Sequence, residues 1–295
     1  MVYSPNPITV DGVSLDAYGW GVEAKTRAWP ASRAGDLAVP GVDGSIPTLN
    51  DDLDVGVLTL TMWLLGVDAT GTIPGGASAM TQARANLDSL VHLFMGRRNA
   101  LLDVRETVDG GGTLRQAWCK VIDQVVPEVR AGGLGRFTVV LSIPDGMWQD
   151  TATADWSQAS AVSGTSYEVT TLQGATAPIS DAVFLVTGPV NTPRLADVAT
   201  GAYVQLNQNL AASNFWRVNS GTWATRYGTG LSLGSTDTTG TDGQASTTFG
   251  GGSARFLRLQ PALATGLRRV NISLTGTGFT AATAVAVRAR RKYLQ

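Results

Sequence analysis

The sequence predicts a mainly β protein of two domains, with one helix inserted among the strands. Three observations lead to this expectation. The chain has 295 residues, of which 43% are hydrophobic, and this is enough apolar material for two cores. Its 35 glycines indicate many turns, and short apolar segments recur between them. Helical periodicity is sustained over several turns at one place, residues 75–96.

The stretch 75–96 predicts an amphipathic helix that lies across a sheet. Its apolar residues recur at helical spacing and form one face, which must be buried. Ser78 is placed to cap the first amides, and Gly96 is placed to stop the helix in the left-handed conformation. The apolar face consists of Met80, Ala83, Leu87, Leu90, Val91 and Phe94, and the polar side includes Gln82, Arg84, Asn86 and Asp88.

Residues 1–150 are expected to form the first domain, a meander of strands around this helix. Asp109 and three glycines lie between two apolar segments and predict a hairpin, because such a turn needs positive φ angles. Residues 29–53 contain three prolines and are expected to form an extended loop that contacts another molecule. The main predicted strands are the segments 55–65, 100–108, 114–126 and 134–143.

The second half of the chain differs in character. Residues 151–165 are polar and are expected to form a linker, and residues 166–295 are expected to form the second domain. About eight short strands at regular spacing, without a helix, predict a jelly-roll-like β-sandwich. Residues 234–253 are rich in Gly, Ser and Thr and are expected to form a mobile loop.

Composition and charge argue against several function classes. The net charge of −1 gives no reason to expect nucleic acid or an acidic membrane as a partner. The N-terminus has neither the basic start nor the apolar run of a signal peptide, and no segment reaches the roughly 18 apolar residues of a membrane span. Synthesis in a cytoplasm is therefore expected.

Catalytic and metal-binding arrangements find little support. His92 is the only histidine, and Asp88 precedes it by one helical turn, which is typical of an exposed structural pair. Cys119, the only cysteine, shares a strand face with apolar residues and is expected in the core. The aspartates of residues 50–54 match no EF-hand spacing, so a solvated turn is favoured over a calcium site. No cofactor is expected.

Two groups of side chains in the second half are candidates for binding. Trp216, Trp223 and Tyr227 lie near one predicted hairpin, where exposed aromatic rings could stack on a glycan; packing in the sandwich core is the alternative. A basic row on the last predicted strand could protect a sheet edge, face solvent or meet an acidic neighbouring subunit. This row consists of Arg288, Arg290 and Lys292.

Three features resemble the distal tail proteins, or minor tail proteins, of long-tailed siphophages. The first is the order of strand, long loop, long strand, amphipathic helix and hairpin. The second is the segment Phe137-Thr-Val-Val-Leu-Ser-Ile-Pro-Asp-Gly-Met-Trp148, which is similar to the Pro-Asp-x-x-Trp step that ends the first domain of that family. The third is the C-terminal run of strands, although residues 261–269 replace the family's Pro-Gly-x-Asn turn.

The resemblance implies a specific architecture and set of partners. It implies a β-barrel-like tail-ring domain followed by a galectin-like β-sandwich, with six copies forming a ring at the tail tip of the virion. The tail tube protein, a tail-associated lysin or hub protein and the tape measure protein would be neighbours, and DNA would pass through the lumen without specific binding. It implies no membrane partner, and synthesis in the cytoplasm of the host bacterium.

Candidate ring or partner contacts follow from this resemblance, with solvent-exposed loops as the alternative. They are Asp43, Asp51 and Asp52 in the long loop, Asp109 in the hairpin, and the basic row of Arg288, Arg290 and Lys292. Two other functions stay open at this point. One is a carbohydrate-binding module or adhesin that recognises a bacterial surface. The other is a hydrolase with a β-sandwich appendage, which a single histidine disfavours.

Overall fold

The structure is a computed structural model that describes residues 7–28, 30, 37–38, 45–46, 54–75, 77–96, 100–108, 113–123, 126–130, 132–251, 257–264 and 266–294. The chain divides into two compact units, residues 1–151 with 294–295 and residues 152–293. The described residues form one α-helix and many strands, so the prediction of a mainly β fold with one inserted helix is confirmed.

The first unit is built on one curved antiparallel sheet. Its path is β2-β1-β7-β8-β10-β6-β3, with β9 added to β10 and β11 added to β8, while β4 and β5 pair separately. The strands are β1 (Ile8–Val10), β2 (Val13–Ser14), β3 (Trp20–Ala28), β4 (Leu37–Ala38), β5 (Ser45–Ile46), β6 (Gly56–Leu65), β7 (Leu102–Val108), β8 (Thr113–Val121), β9 (Val126–Arg130), β10 (Leu134–Ile143) and β11 (Trp148–Asp150).

Strands β6 and β10 form the centre of this sheet and follow the predicted alternation. Their ten-residue register pairs Met62 with Phe137 and Leu60 with Val139, and all four side chains are buried. The alternating pattern arises because successive strand residues point to opposite faces of the sheet. The apolar face of the two strands therefore forms the core of the first unit.

The sheet curls until distant strands meet. Strand β3 lies four steps from β7 along the sheet path, yet Lys25 and Arg27 of β3 both form ion pairs with Glu106 of β7. Such contacts between non-neighbouring strands require strong curvature, which gives the unit a barrel-like form.

Helix α1 (Ala79–Met95) packs on the apolar face of β6 and β10. Ser78 caps it as predicted, accepting a hydrogen bond of 3.1 Å from the Thr81 amide. Phe94 contacts Phe137, with 5.8 Å between ring centroids. No helix in the described ranges has the length and apolar character that a membrane span requires.

Two details of the predicted helix are wrong. Asn86, assigned to the polar side, is 6% exposed and donates hydrogen bonds to the carbonyls of Leu65 and Val67. Gly96 has φ −68°, so it is right-handed rather than left-handed, and its amide continues the helical bonding to His92.

The second unit is a sandwich of two antiparallel sheets with an apolar core between them. The sheet orders are β12-β25-β14-β18-β19-β20 and β13-β24-β15-β16-β21, with β17 added to β15, while β22 and β23 pair separately. The strands are β12 (Ala154–Gln158), β13 (Ser166–Glu168), β14 (Val183–Thr187), β15 (Val190–Asp197), β16 (Tyr203–Leu206), β17 (Asn209–Leu210), β18 (Phe215–Asn219), β19 (Ala224–Gly228), β20 (Thr241–Asp242), β21 (Thr247–Gly250), β22 (Ala262–Ala264), β23 (Leu267–Arg269), β24 (Asn271–Thr277), β25 (Ala284–Ala289) and β26 (Lys292–Tyr293).

Parts of the second unit differ from the sequence-based predictions. The predicted linker 151–165 contains β12, which pairs with β25 over five residues and packs Trp156 against the core. The predicted loop 234–253 contains β20, β21 and a short 3-10 helix, Gln244–Ser246. Polar composition suggested a linker and a loop, but edge strands also tolerate polar residues, because only one of their faces is covered.

Candidate interaction surfaces

The aromatic candidates lie on the hairpin of β18 and β19 but in different environments. Trp216 is fully buried, and Tyr227, its register partner, packs partly buried against the core. Burial leaves no ring face for a sugar, so the glycan contact predicted for Trp216 is wrong and the core alternative is correct. Trp223 is 38% exposed at the turn, with a positive φ of 66° that bulky residues rarely adopt.

The hairpin is fixed by Asp237 from the following connection. Its carboxylate accepts hydrogen bonds from Arg217 Nη1 at 2.5 Å, from Thr222 Oγ1 at 2.6 Å and from Asn219 Nδ2 at 3.1 Å. Burial raises the pKa of Asp237, but the hydrogen bonds from Thr222, Arg217 and Asn219 outweigh it and hold this pKa below the ordinary value. Asp237 therefore ties the end of β18 to Thr222, the residue that precedes Trp223 in the turn.

The basic row at the C-terminus is largely used inside its own unit. Arg288 donates two hydrogen bonds to Asp155, at 2.6 and 2.7 Å. Lys292 is 6% exposed, and its Nζ lies 3.2 Å from Asp181 Oδ1. Arg290 lies between β25 and β26, where the strand is interrupted. A contact of this row with a neighbouring subunit stays a prediction.

The other predicted partner contacts are four aspartates of the long loop and the hairpin. Asp43, Asp51, Asp52 and Asp109 lie outside the described residues, and so does most of the loop 29–53. Among the residues that the structure describes, no three His, Cys, Asp or Glu side chains are grouped as a metal site would need. Cys119 is buried as expected, and burial raises the pKa of its thiol to about 12.

Sequence reasoning missed an apolar strip on β8. Leu114, Trp118 and Ile122 lie four residues apart, so they share one face of the strand and its continuation. They are 40%, 42% and 53% exposed, respectively. The signal in the sequence was available, since Leu114, Trp118 and Ile122 recur at every fourth position of this segment.

A buried ion cluster was also missed. Glu106 is 1% exposed, and it pairs with Lys25 and Arg27 of β3. The guanidinium of Arg27 lies over the ring of buried Trp148, 4.4 Å from its centroid. Trp148 is the last residue of the Pro-Asp-x-x-Trp step. This motif therefore ends the first unit and also supplies the ring against which the Arg27 guanidinium packs.

Sequence comparisons match neither a protein-family model nor a curated protein. Structure comparison finds the Dit protein of phage SPP1, described as a paradigm of the hub adsorption apparatus in phages that infect Gram-positive bacteria. It is 13% identical, with a TM-score of 0.59 over 97% of this chain and 98% of the other. The baseplate of phage p2 matches at 7% identity over 97% and 98% of the two chains, but a TM-score of 0.39 supports no argument. Over almost its whole length, this chain has the fold of a siphophage distal tail protein.

Proposed function

We propose that this protein is a structural subunit of the tail tip of a long-tailed bacteriophage, and that it acts by assembly without chemistry of its own. The observation that carries the proposal is the match to SPP1 Dit, which includes both units of the chain rather than one common domain. A fold shared at 13% identity permits other functions, so the site must support the assignment as well.

The β8 apolar strip provides that support. Three large apolar side chains exposed on one face of a strand offer a surface of the kind that protein interfaces use. A ring needs two different complementary patches on each subunit, because its contacts are heterologous. We propose that the strip formed by Leu114, Trp118 and Ile122 is one of these patches.

The finer assignments follow the family resemblance. Six copies would form a ring that joins the tail tube to the host-adsorption apparatus, with the tail tube protein, the tape measure protein and a tail-associated lysin or hub protein as neighbours. DNA would pass through the lumen without sequence-specific contacts. The subunit would be made in the bacterial cytoplasm and located at the tail tip of the virion.

The solution mass of the purified chain, measured by light scattering with negative-stain images of the same sample, tests this proposal. The expected result is a ring with six times the 30.8 kDa mass of one chain and a central hole. Trp118→Ser should lower the mass, whereas Trp223→Ser, a control of similar exposure in the other unit, should not. A monomer that stays monomeric when tail tube protein is added would contradict the proposal.

A further inference from the structure

Lys25 and Arg27 share a single carboxylate. Both side chains extend from β3 toward β7 and pair with the two oxygens of Glu106, which is 1% exposed. The Lys25 and Arg27 side chains are 30% and 20% exposed, so solvent still reaches them. Arg115 of β8 is close enough to repel the Arg27 guanidinium, so it adds positive charge to this region.

One-to-one ion pairs elsewhere in the protein show what a balanced arrangement looks like. Arg105 pairs with Asp103 and Arg288 with Asp155, and the carboxylate raises the pKa of each arginine. For Lys25 and Arg27, which share one carboxylate, the pKa values change in the opposite direction. Burial and repulsion from Arg27 lower the pKa of Lys25, and burial and repulsion from Arg115 lower that of Arg27 to about 10.

Lys25 and Arg27 together also have more N–H donors than the Glu106 carboxylate has positions to accept them. An ammonium group carries three N–H donors and a guanidinium carries five. Within the described part of the chain, Glu106 is the one acidic partner of both side chains, and Arg27 Nε is buried without a hydrogen bond. Trp148 holds the guanidinium plane from one side, so its remaining N–H groups have a fixed direction.

We infer that Lys25 and Arg27 form a binding site for one oxyanion, a carboxylate or a phosphate, which supplies the second negative charge of the cluster. A planar guanidinium beside a flexible ammonium suits this ligand chemistry, because the guanidinium gives paired hydrogen bonds and the ammonium adapts to the remaining oxygen. Glu106 positions both cations and competes with the ligand for them. This inference does not depend on the proposed ring.

Thermal unfolding of the full chain in increasing inorganic phosphate, at constant ionic strength, tests the site. A ligand that binds only the folded protein raises the unfolding temperature. Wild type and the control Arg136→Gln, whose exposed arginine pairs with Glu23, should show the same rise. Lys25→Met should lose most of it, and Glu106→Gln, which removes the competing charge, should show a larger rise. Equal responses in wild type and Lys25→Met would overturn the inference, even if Glu106→Gln failed to fold.

The solution mass of the same samples distinguishes the two sources of the oxyanion. If a carboxylate of a second copy fills the site, phosphate and Lys25→Met should each lower the mass of the assembly. If a free oxyanion fills it, phosphate should stabilise the protein with no change in mass. Either result supports the oxyanion site. If Lys25→Met forms a normal ring and phosphate stabilises wild type no more than this variant, the site is rejected. The proposed function as a ring subunit is then unaffected.

Discussion

Asn86 of α1 donates a hydrogen bond of 2.8 Å to the backbone carbonyl of Leu65, the last residue of β6. The same amide nitrogen reaches the carbonyl of Val67, also at 2.8 Å. Gly19 faces this amide so closely that a Cβ there would lie 2.5 Å from Nδ2. One buried polar side chain thus satisfies two carbonyls, one at the end of β6 and one just beyond it, and it fixes the helix to the end of the strand.

Asn86→Ala should therefore destabilise the protein by about 2 kcal/mol, because two partly buried carbonyls lose their donor. Urea denaturation measures this free energy of unfolding. Arg84→Ala, on the exposed side of the same helix, is the matched control and should change stability by less than about 0.5 kcal/mol. Equal effects of the two substitutions would show that the Asn86 hydrogen bonds are not important for helix docking.

Asp237→Ala should cost about 3 kcal/mol, because it leaves the Arg217 side chain, 5% exposed, without its carboxylate. The same denaturation experiment applies. Glu128→Ala breaks an ion pair in which both side chains are more than 60% exposed, and it should cost less than about 1 kcal/mol. A loss as small as that of the control would indicate that Arg217 finds solvent or another partner.

Acid should also weaken the contacts of Asp237. Its pKa in the folded protein lies below its ordinary value of 3.8, so the charged form stabilises the fold at pH values above that range. This contribution is lost as the pH falls through the folded-state pKa. The difference in unfolding free energy between wild type and Asp237→Asn should accordingly shrink below about pH 4. A constant difference down to pH 2 would contradict the assignment.

Local patterns were enough to predict the centre of the first unit. The alternation of β6 and the cap at Ser78 depend on residues near one another in sequence, so periodicity and capping rules apply directly. The role of Asn86 depends on carbonyls about twenty positions earlier. The Glu106 cluster joins β3 to a strand about eighty positions later. In the sequence, the charged residues at every second position of β3 have the pattern of an ordinary solvated strand.

Strand β15 could not be predicted from the sequence for a different reason. Pro193 argues against a strand interior, since proline cannot donate to the ladder. In the structure, the register between β15 and β24 shifts between Asn191 and Arg194, so the proline lies in a bulge, where no ladder bond is needed. Bulges of this kind are set by the paired strand, which single-sequence patterns do not contain.

Cys119 should be unreactive in the folded protein. Burial, with a further contribution from Asp103, raises the pKa of its thiol to about 12, so almost no thiolate exists at pH 8. Iodoacetamide at that pH should label the urea-unfolded chain and leave the native chain unlabelled, as read by mass spectrometry. Rapid labelling of the native protein would mean that β8 opens readily.

Truncation should reduce stability far more at Trp216 than at Trp223, the other tryptophan of the β18–β19 hairpin. Trp216→Ala should cost about 3–5 kcal/mol, because it empties a fully buried site, whereas Trp216→Phe keeps a ring there and removes an indole N–H that has no partner. Trp223→Ala removes a partly exposed ring and should change stability by about 1 kcal/mol or less.

The stability of Trp223→Ala makes it a suitable test of the remaining glycan prediction, which concerns Trp223 and Tyr227. If binding of the folded variant to purified host cell wall equals that of wild type, Trp223 is not a glycan contact; if binding falls while the unfolding temperature holds, the exposed turn is the recognition element of the second unit.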